Sequence, residues 1–163
     1  MTDILGLVRV LADAEVECII AGGVAANLLG SARTTLDLDV VYRRTDRNMQ
    51  RLAGALAPLH PYLRGAPAGL PFAFDLATLA RGLNLELTTD LGALDLLGEI
   101  TGGGTYEDLI QDSFTAKGLG ASVRCLSLDR LIATKRAAGC PKDLVALSEL
   151  EALLEERNHQ PPR

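Results

Sequence analysis

Two aspartates, Asp37 and Asp39, stand two residues apart in the apolar run Leu36-Asp37-Leu38-Asp39-Val40-Val41. Side chains alternate along a strand, so both carboxylates fall on one face. Two such groups repel each other and are costly to bury, and a divalent cation is their natural neutraliser. Clustered carboxylates hold the metals of phosphoryl and nucleotidyl transfer, where one cation orients a triphosphate and the other activates the attacking hydroxyl. The simpler alternative is a strand with two solvated acids on its outer face, but Asp is a poor strand former and seldom repeats in so apolar a run. A metal site needs a third acid. Asp95 fits best, because Leu94-Asp95-Leu96-Leu97 repeats the pattern of an acid set in an apolar strand. Asp90 and Glu86 are weaker rivals: Asp90 sits where a hairpin turn favours Asp, and Glu86 alternates with leucines that take the opposite face.

Phosphate binding calls for donors as well as acids. Gly22-Gly23 precedes a helix-compatible segment, and backbone N–H groups at a helix start can face a phosphate. The pair lacks both the Lys-Ser/Thr ending of a P-loop and the third glycine of a dinucleotide fingerprint. Arg33 and Arg64 are candidate phosphate contacts, with surface solubility as the alternative, and Lys135 and Lys142 read on their own as helix lysines. His60 and His159 belong to no motif that calls for an imidazole. Cys18, Cys125 and Cys140 are odd in number and widely spaced, which suggests neither a disulfide framework nor a zinc site.

Gly22-Gly23, thirteen residues and then Asp37-x-Asp39 together resemble the signature of the nucleotidyltransferase superfamily typified by DNA polymerase β and the minimal nucleotidyltransferases. The stretch Arg33-Thr34-Thr35-Leu36-Asp37-Leu38-Asp39 is most similar to the Arg-x-Thr-x-Asp-x-Asp pattern of the bacterial abortive-infection group. That group also carries a late Lys followed by Arg-x-Lys-Asp. Here Lys135, Lys142 and Asp143 match, while Cys140 stands in the place usually held by Arg, which removes a bidentate phosphate contact. The resemblance extends from about Gly22 to Leu154 and implies metal ligation by Asp37, Asp39 and Asp95. It also implies a nucleotide site built from Gly22, Gly23, Arg33, Thr35, Lys135, Lys142 and Asp143, with Asp143 orienting a lysine. The implied activity moves a nucleoside monophosphate from an NTP to a hydroxyl on an RNA 3′ end, a protein or a small molecule, using Mg²⁺ or Mn²⁺. The implied partners are tRNA or an acceptor protein, and a cognate toxin or antitoxin. A binding module that keeps the fold without turnover is the alternative, which Cys140 favours and the three acids oppose.

The elements that must position these residues follow from periodicity. Apolar spacing predicts a helix over 2–14, a strand at 18–21, a short helix to Leu29, a strand over 36–42 and a helix over 46–57. Residues 58–71, with four prolines, read as an ordered loop. Strands at 84–89 and 93–99 flank a Gly-containing turn; a short helix at 106–112, a strand at 123–126 and helices over 128–138 and 142–156 follow. This order predicts an α+β, nucleotidyltransferase-like fold with a mixed, partly antiparallel sheet and helices packed mainly on one side.

A chain of 163 residues, 48% hydrophobic and 23% charged, fits one domain over 1–157 with a frayed tail at 158–163. The net charge of −5 argues against a broad basic surface for nucleic acid, and with 4% aromatic residues and no Trp there is little material for base stacking. No apolar run is long enough to cross a bilayer and no signal-peptide pattern is present, so a cytoplasmic location without membrane partners is expected.

Overall fold

The computed structural model describes residues 1–141 and 143–160. Helix α1 (Ile4–Asp13) starts where the Asp3 carboxylate accepts from the Gly6 N–H, and it buries Leu7, Val8 and Leu11. Strand β1 (Cys18–Ala21), helix α2 (Gly22–Leu28), strand β2 (Asp37–Tyr42) and helix α3 (Asp46–Leu56) follow, the last capped by Thr45. Strand β3 (Tyr62–Leu63), helix α4 (Leu76–Arg81), the hairpin β4 (Asn84–Thr89) and β5 (Gly92–Leu97), and helix α5 (Tyr106–Leu109) form the middle of the chain. Strands β6 (Ser113–Ala116) and β7 (Val123–Leu126) precede helices α6 (Leu128–Ala138) and α7 (Asp143–His159).

The strands make one seven-stranded sheet in the order β3-β4-β5-β2-β1-β7-β6. β1 pairs with β2 antiparallel and with β7 parallel; β2 runs parallel to β5, and the hairpins β4–β5 and β6–β7 are antiparallel, as is β3–β4. One face carries Ile20, Leu38, Val40, Tyr42, Leu94 and Leu96 into the main core, with Leu7 and Leu11 of α1, Leu52 of α3 and Leu131 of α6. The other carries Ile19, Ala21 and Val41 against Tyr106 and Leu109 of α5. Helices thus cover one face broadly and the other only in part, as expected for this α+β arrangement.

A buried side chain pins the ends of the central strands. Asn48, 1% exposed, accepts from the Glu17 N–H at 2.7 Å and donates to the Glu17 and Arg43 carbonyls at 2.9 and 2.8 Å. These bonds satisfy backbone groups that burial would otherwise orphan.

The structure adds three elements that periodicity does not show. Residues 58–71, expected as loop, contain β3, whose Tyr62 and Leu63 pair with Thr88 and Leu87. α4 has six residues, too short to display a helical stripe, and β6, Ser113-Phe114-Thr115-Ala116, carries one large apolar residue, unlike the equally short β1 and β7. α7 starts at Asp143, whose N–H donates to the Cys140 carbonyl, and continues to His159, past the expected end near Glu156. Neither Gly nor Pro interrupts residues 143–159, so no local signal stops the helix earlier. The final residues of the expected tail, 161–163, lie outside the described residues, and so does Lys142.

Candidate functional site

The less covered sheet face holds the acids. In β2, Leu38 and Val40 are fully buried below the sheet, which turns Asp37 and Asp39 to the opposite face. Parallel pairing sets Asp39 beside Asp95 of β5. Asp37, Asp39 and Asp95 each offer a carboxylate oxygen, and these three atoms lie within 4.8 Å of one another. Glu86 is the next residue along the same row, opposite Asp95 in β4, but it is not in this cluster. Asp90 lies in the β4–β5 turn and pairs instead with His60 Nδ1 at 2.7 Å.

Crowding three acids has an electrostatic consequence. Burial, followed by the charges of Asp37 and Asp95, pushes the Asp39 carboxyl up to about 8, against a weaker opposing pull from Lys135. The donor set suits a hard divalent cation: oxygen ligands only, one from each of three carboxylates, within 4.8 Å of one another. Asp37, Asp39 and Asp95 would hold it.

Gly22 and Gly23 open α2 directly from β1. Gly22 has φ +59, and a Cβ there would overlap the Asp39 carboxylate. A Cβ on Gly23 would lie 2.6 Å from Thr35 Oγ1. Only glycine lets the turn approach the acidic strand so closely. Thr35 in turn donates to the Asp37 carbonyl at 3.1 Å, which fixes the entry to β2. Arg33 is exposed, and with Gly23, Ser31, Thr35 and Lys135 it lines a small cavity of about 90 Å³.

On the other side of Lys135 lies a larger cavity of about 320 Å³, bounded by Gly22, Asp39, Asn84, Glu99, Thr134 and Asp143 among others. Lys135 projects from α6 and its Nζ lies 3.7 Å from Asp143 Oδ1 at the start of α7. The Arg136–Glu151 ion pair, at 2.6 Å, further ties α6 to α7. One cation therefore borders both cavities within reach of the acids' field. The structure brings together Gly22, Gly23, Thr35, Asp37, Asp39, Asp95, Lys135 and Asp143, with Arg33 at the rim.

Arg64 comes to the acids rather than to a separate phosphate pocket: Nη2 donates to Asp95 Oδ1 at 2.5 Å, and Nη1 lies 3.8 Å from Asp37 Oδ2. Sequence reasoning does not single out Asn84 or Thr134, which line the larger cavity. Thr134 directly precedes Lys135, and that adjacency is the one signal available for it. Burial pushes the Cys18 and Cys125 thiols up to about 12, so neither is a ready metal ligand or nucleophile. No described helix is long and apolar enough to cross a membrane.

No protein-family profile and no curated protein matches the sequence. Among solved structures, the chain is similar to a Thermotoga maritima protein described as a "putative nucleotidyltransferase", at a TM-score of 0.52 and 15% identity, over 98% of this chain and 97% of that one. The likeness shows a nucleotidyltransferase-like fold.

Proposed function

We propose that this chain is a metal-dependent nucleotidyltransferase that moves a nucleoside monophosphate from an NTP to a hydroxyl acceptor. The observation that carries the reading is the convergence of Asp37, Asp39 and Asp95, within 4.8 Å, on a sheet face bordered by the Gly22-Gly23 turn and Lys135. A divalent cation such as Mg²⁺ or Mn²⁺, held by the three carboxylates, would supply Lewis acidity and lower the pKa of an attacking hydroxyl.

The chain's own residues do the positioning. The α2 start, free of side chains at Gly22 and Gly23, admits the phosphates close to the backbone. Lys135 neutralises phosphate charge, and Asp143 holds its ammonium in place. The acceptor oxygen attacks the α-phosphorus, the bond to the bridging oxygen breaks, and pyrophosphate leaves as the hydroxyl proton passes to solvent or a carboxylate. The motif over Arg33–Asp39 and the Lys135 and Asp143 matches support an acceptor such as an RNA 3′ end, tRNA included, or a protein hydroxyl, and a role beside a cognate toxin or antitoxin. Cys140, in place of an arginine, supports the alternative of a nucleotide-binding module without turnover.

The deciding experiment follows label from each α-³²P NTP, with Mg²⁺ or Mn²⁺, into total RNA and extract protein. Transfer that disappears in Asp37→Ala establishes the transferase and identifies nucleotide and acceptor class. Absence of transfer together with a nucleotide-induced thermal shift establishes the binding module instead.

A further inference from the structure

Arg64 reaches the acids because of strand register. Tyr62 and Leu63 pair with Thr88 and Leu87, and the Arg64 N–H continues the ladder by donating to the Glu86 carbonyl at 2.9 Å. Glu86 faces Asp95, and Asp95 faces Asp39, so one lateral row runs from Arg64 across three strands to the acidic pair. Residues in such a row share a sheet face. The long arginine side chain passes Glu86, donates from Nη2 to Asp95 Oδ1 at 2.5 Å and to the Leu87 carbonyl at 3.0 Å, and brings Nη1 to 3.8 Å from Asp37 Oδ2. The Asp95 side chain is only 13% exposed and that of Arg64 31%, so the contact is shielded from bulk water.

We infer that Arg64 is an internal counter-ion that competes with divalent metal for Asp95 and Asp37. The inference rests on the reading of the triad as a metal site. The guanidinium binds one oxygen of Asp95 and neutralises charge that a cation at the three acids would draw on, and a cation there would repel it. It spreads one positive charge over two of the three acids, whereas a divalent ion brings two, so metal at sufficient concentration displaces it. Its Nε is buried without a hydrogen-bond partner among the described residues, so its hold on the site is incomplete. Gly65, with φ +77, follows immediately and leads into residues 66–75, which contain no regular element. Its backbone bond to the Glu86 carbonyl keeps it beside the acids whichever way the side chain turns.

The test measures Mn²⁺ binding directly, by the EPR signal of the free ion, in the full chain, Arg64→Gln, Arg64→Lys and Asp39→Asn. Removing the competitor should tighten Mn²⁺ binding at least about tenfold in Arg64→Gln. Arg64→Lys keeps the charge without the two-acid span and should fall between the two. Equal or weaker binding in Arg64→Gln, at a site still lost in Asp39→Asn, overturns the competition and leaves the metal site standing. If Arg64→Gln does not fold, Arg64→Lys decides by the same comparison with wild type. Absence of any Asp39-dependent Mn²⁺ binding overturns the metal reading, and the inference with it.

Discussion

Asp39 concentrates the electrostatic strain of the site. Its carboxyl is raised from 3.8 to about 8 in the folded chain, first by burial and then by its two acidic neighbours. Between those values the folded protein without metal binds a proton that the unfolded chain has released. Stability from this group is therefore present in full below about pH 3.8 and is lost as pH rises through about 8. Asp39→Asn cannot ionise and should remove that slope. In EDTA at pH 8 the variant should melt at least roughly 4–8 °C above wild type, a floor of about 2 kcal/mol for a chain of this size, and the gap should close toward pH 4. Thermal melts across pH 4–8 check it; a gap independent of pH would mean that Asp39 ionises freely. The nearby Gly22 explains why the pair of glycines reads as part of the site: any side chain there would collide with the Asp39 carboxylate.

At the scale of elements, α6 and α7 act as a clamp that delivers Lys135. Leu128, Leu131 and Ile132 bury one side of α6, Gly139 ends it in the left-handed conformation with φ 61, and Asp143 at the start of α7 meets Lys135. Lys135→Ala should weaken binding of a non-hydrolysable NTP by about tenfold or more, the loss expected for one charge-assisted contact, while leaving Mn²⁺ affinity within about twofold of wild type. Calorimetric titrations of metal and nucleotide separately check both halves, and parallel loss of the two would make Lys135 a support of the triad instead. Of these elements, α6 and the β4–β5 hairpin were legible through their punctuation: Gly139 ends α6, and the Asp90-Leu91-Gly92 turn joins β4 to β5. Asp37, Asp39 and Asp95 stood out as acids breaking an apolar alternation. β3 did not, since two residues between prolines show no period. The placement of Arg64 depends on β3, so its contact with Asp95 could not be read before the register was known.

The whole molecule sets how these parts couple. The mixed sheet presents helices to one face and leaves the acids on the other, bordered by α5 at one end and by α6 beside the larger cavity. With a net charge of −5 over the chain, the cations placed to meet a polyanion here are local ones: Lys135 at both cavities, Arg33 at the rim and Arg64 beside the acids. Metal then becomes the step that converts three mutually repelling acids into a favourable feature of the fold. A ligand that binds only the folded state stabilises it by RT ln(1 + [L]/Kd), or about 2.7 kcal/mol at a hundredfold excess over Kd. Since the cation must displace the Asp39 proton, this gain should grow with pH up to about 8. Adding Mn²⁺ after EDTA dialysis should therefore raise the melting temperature by roughly 5–10 °C at pH 8, and by clearly less at pH 6. Asp37→Ala should show little shift at either pH. An equal shift in that variant would place the ion elsewhere on the acidic surface, and the open sheet face would lose its claim to be a metal centre.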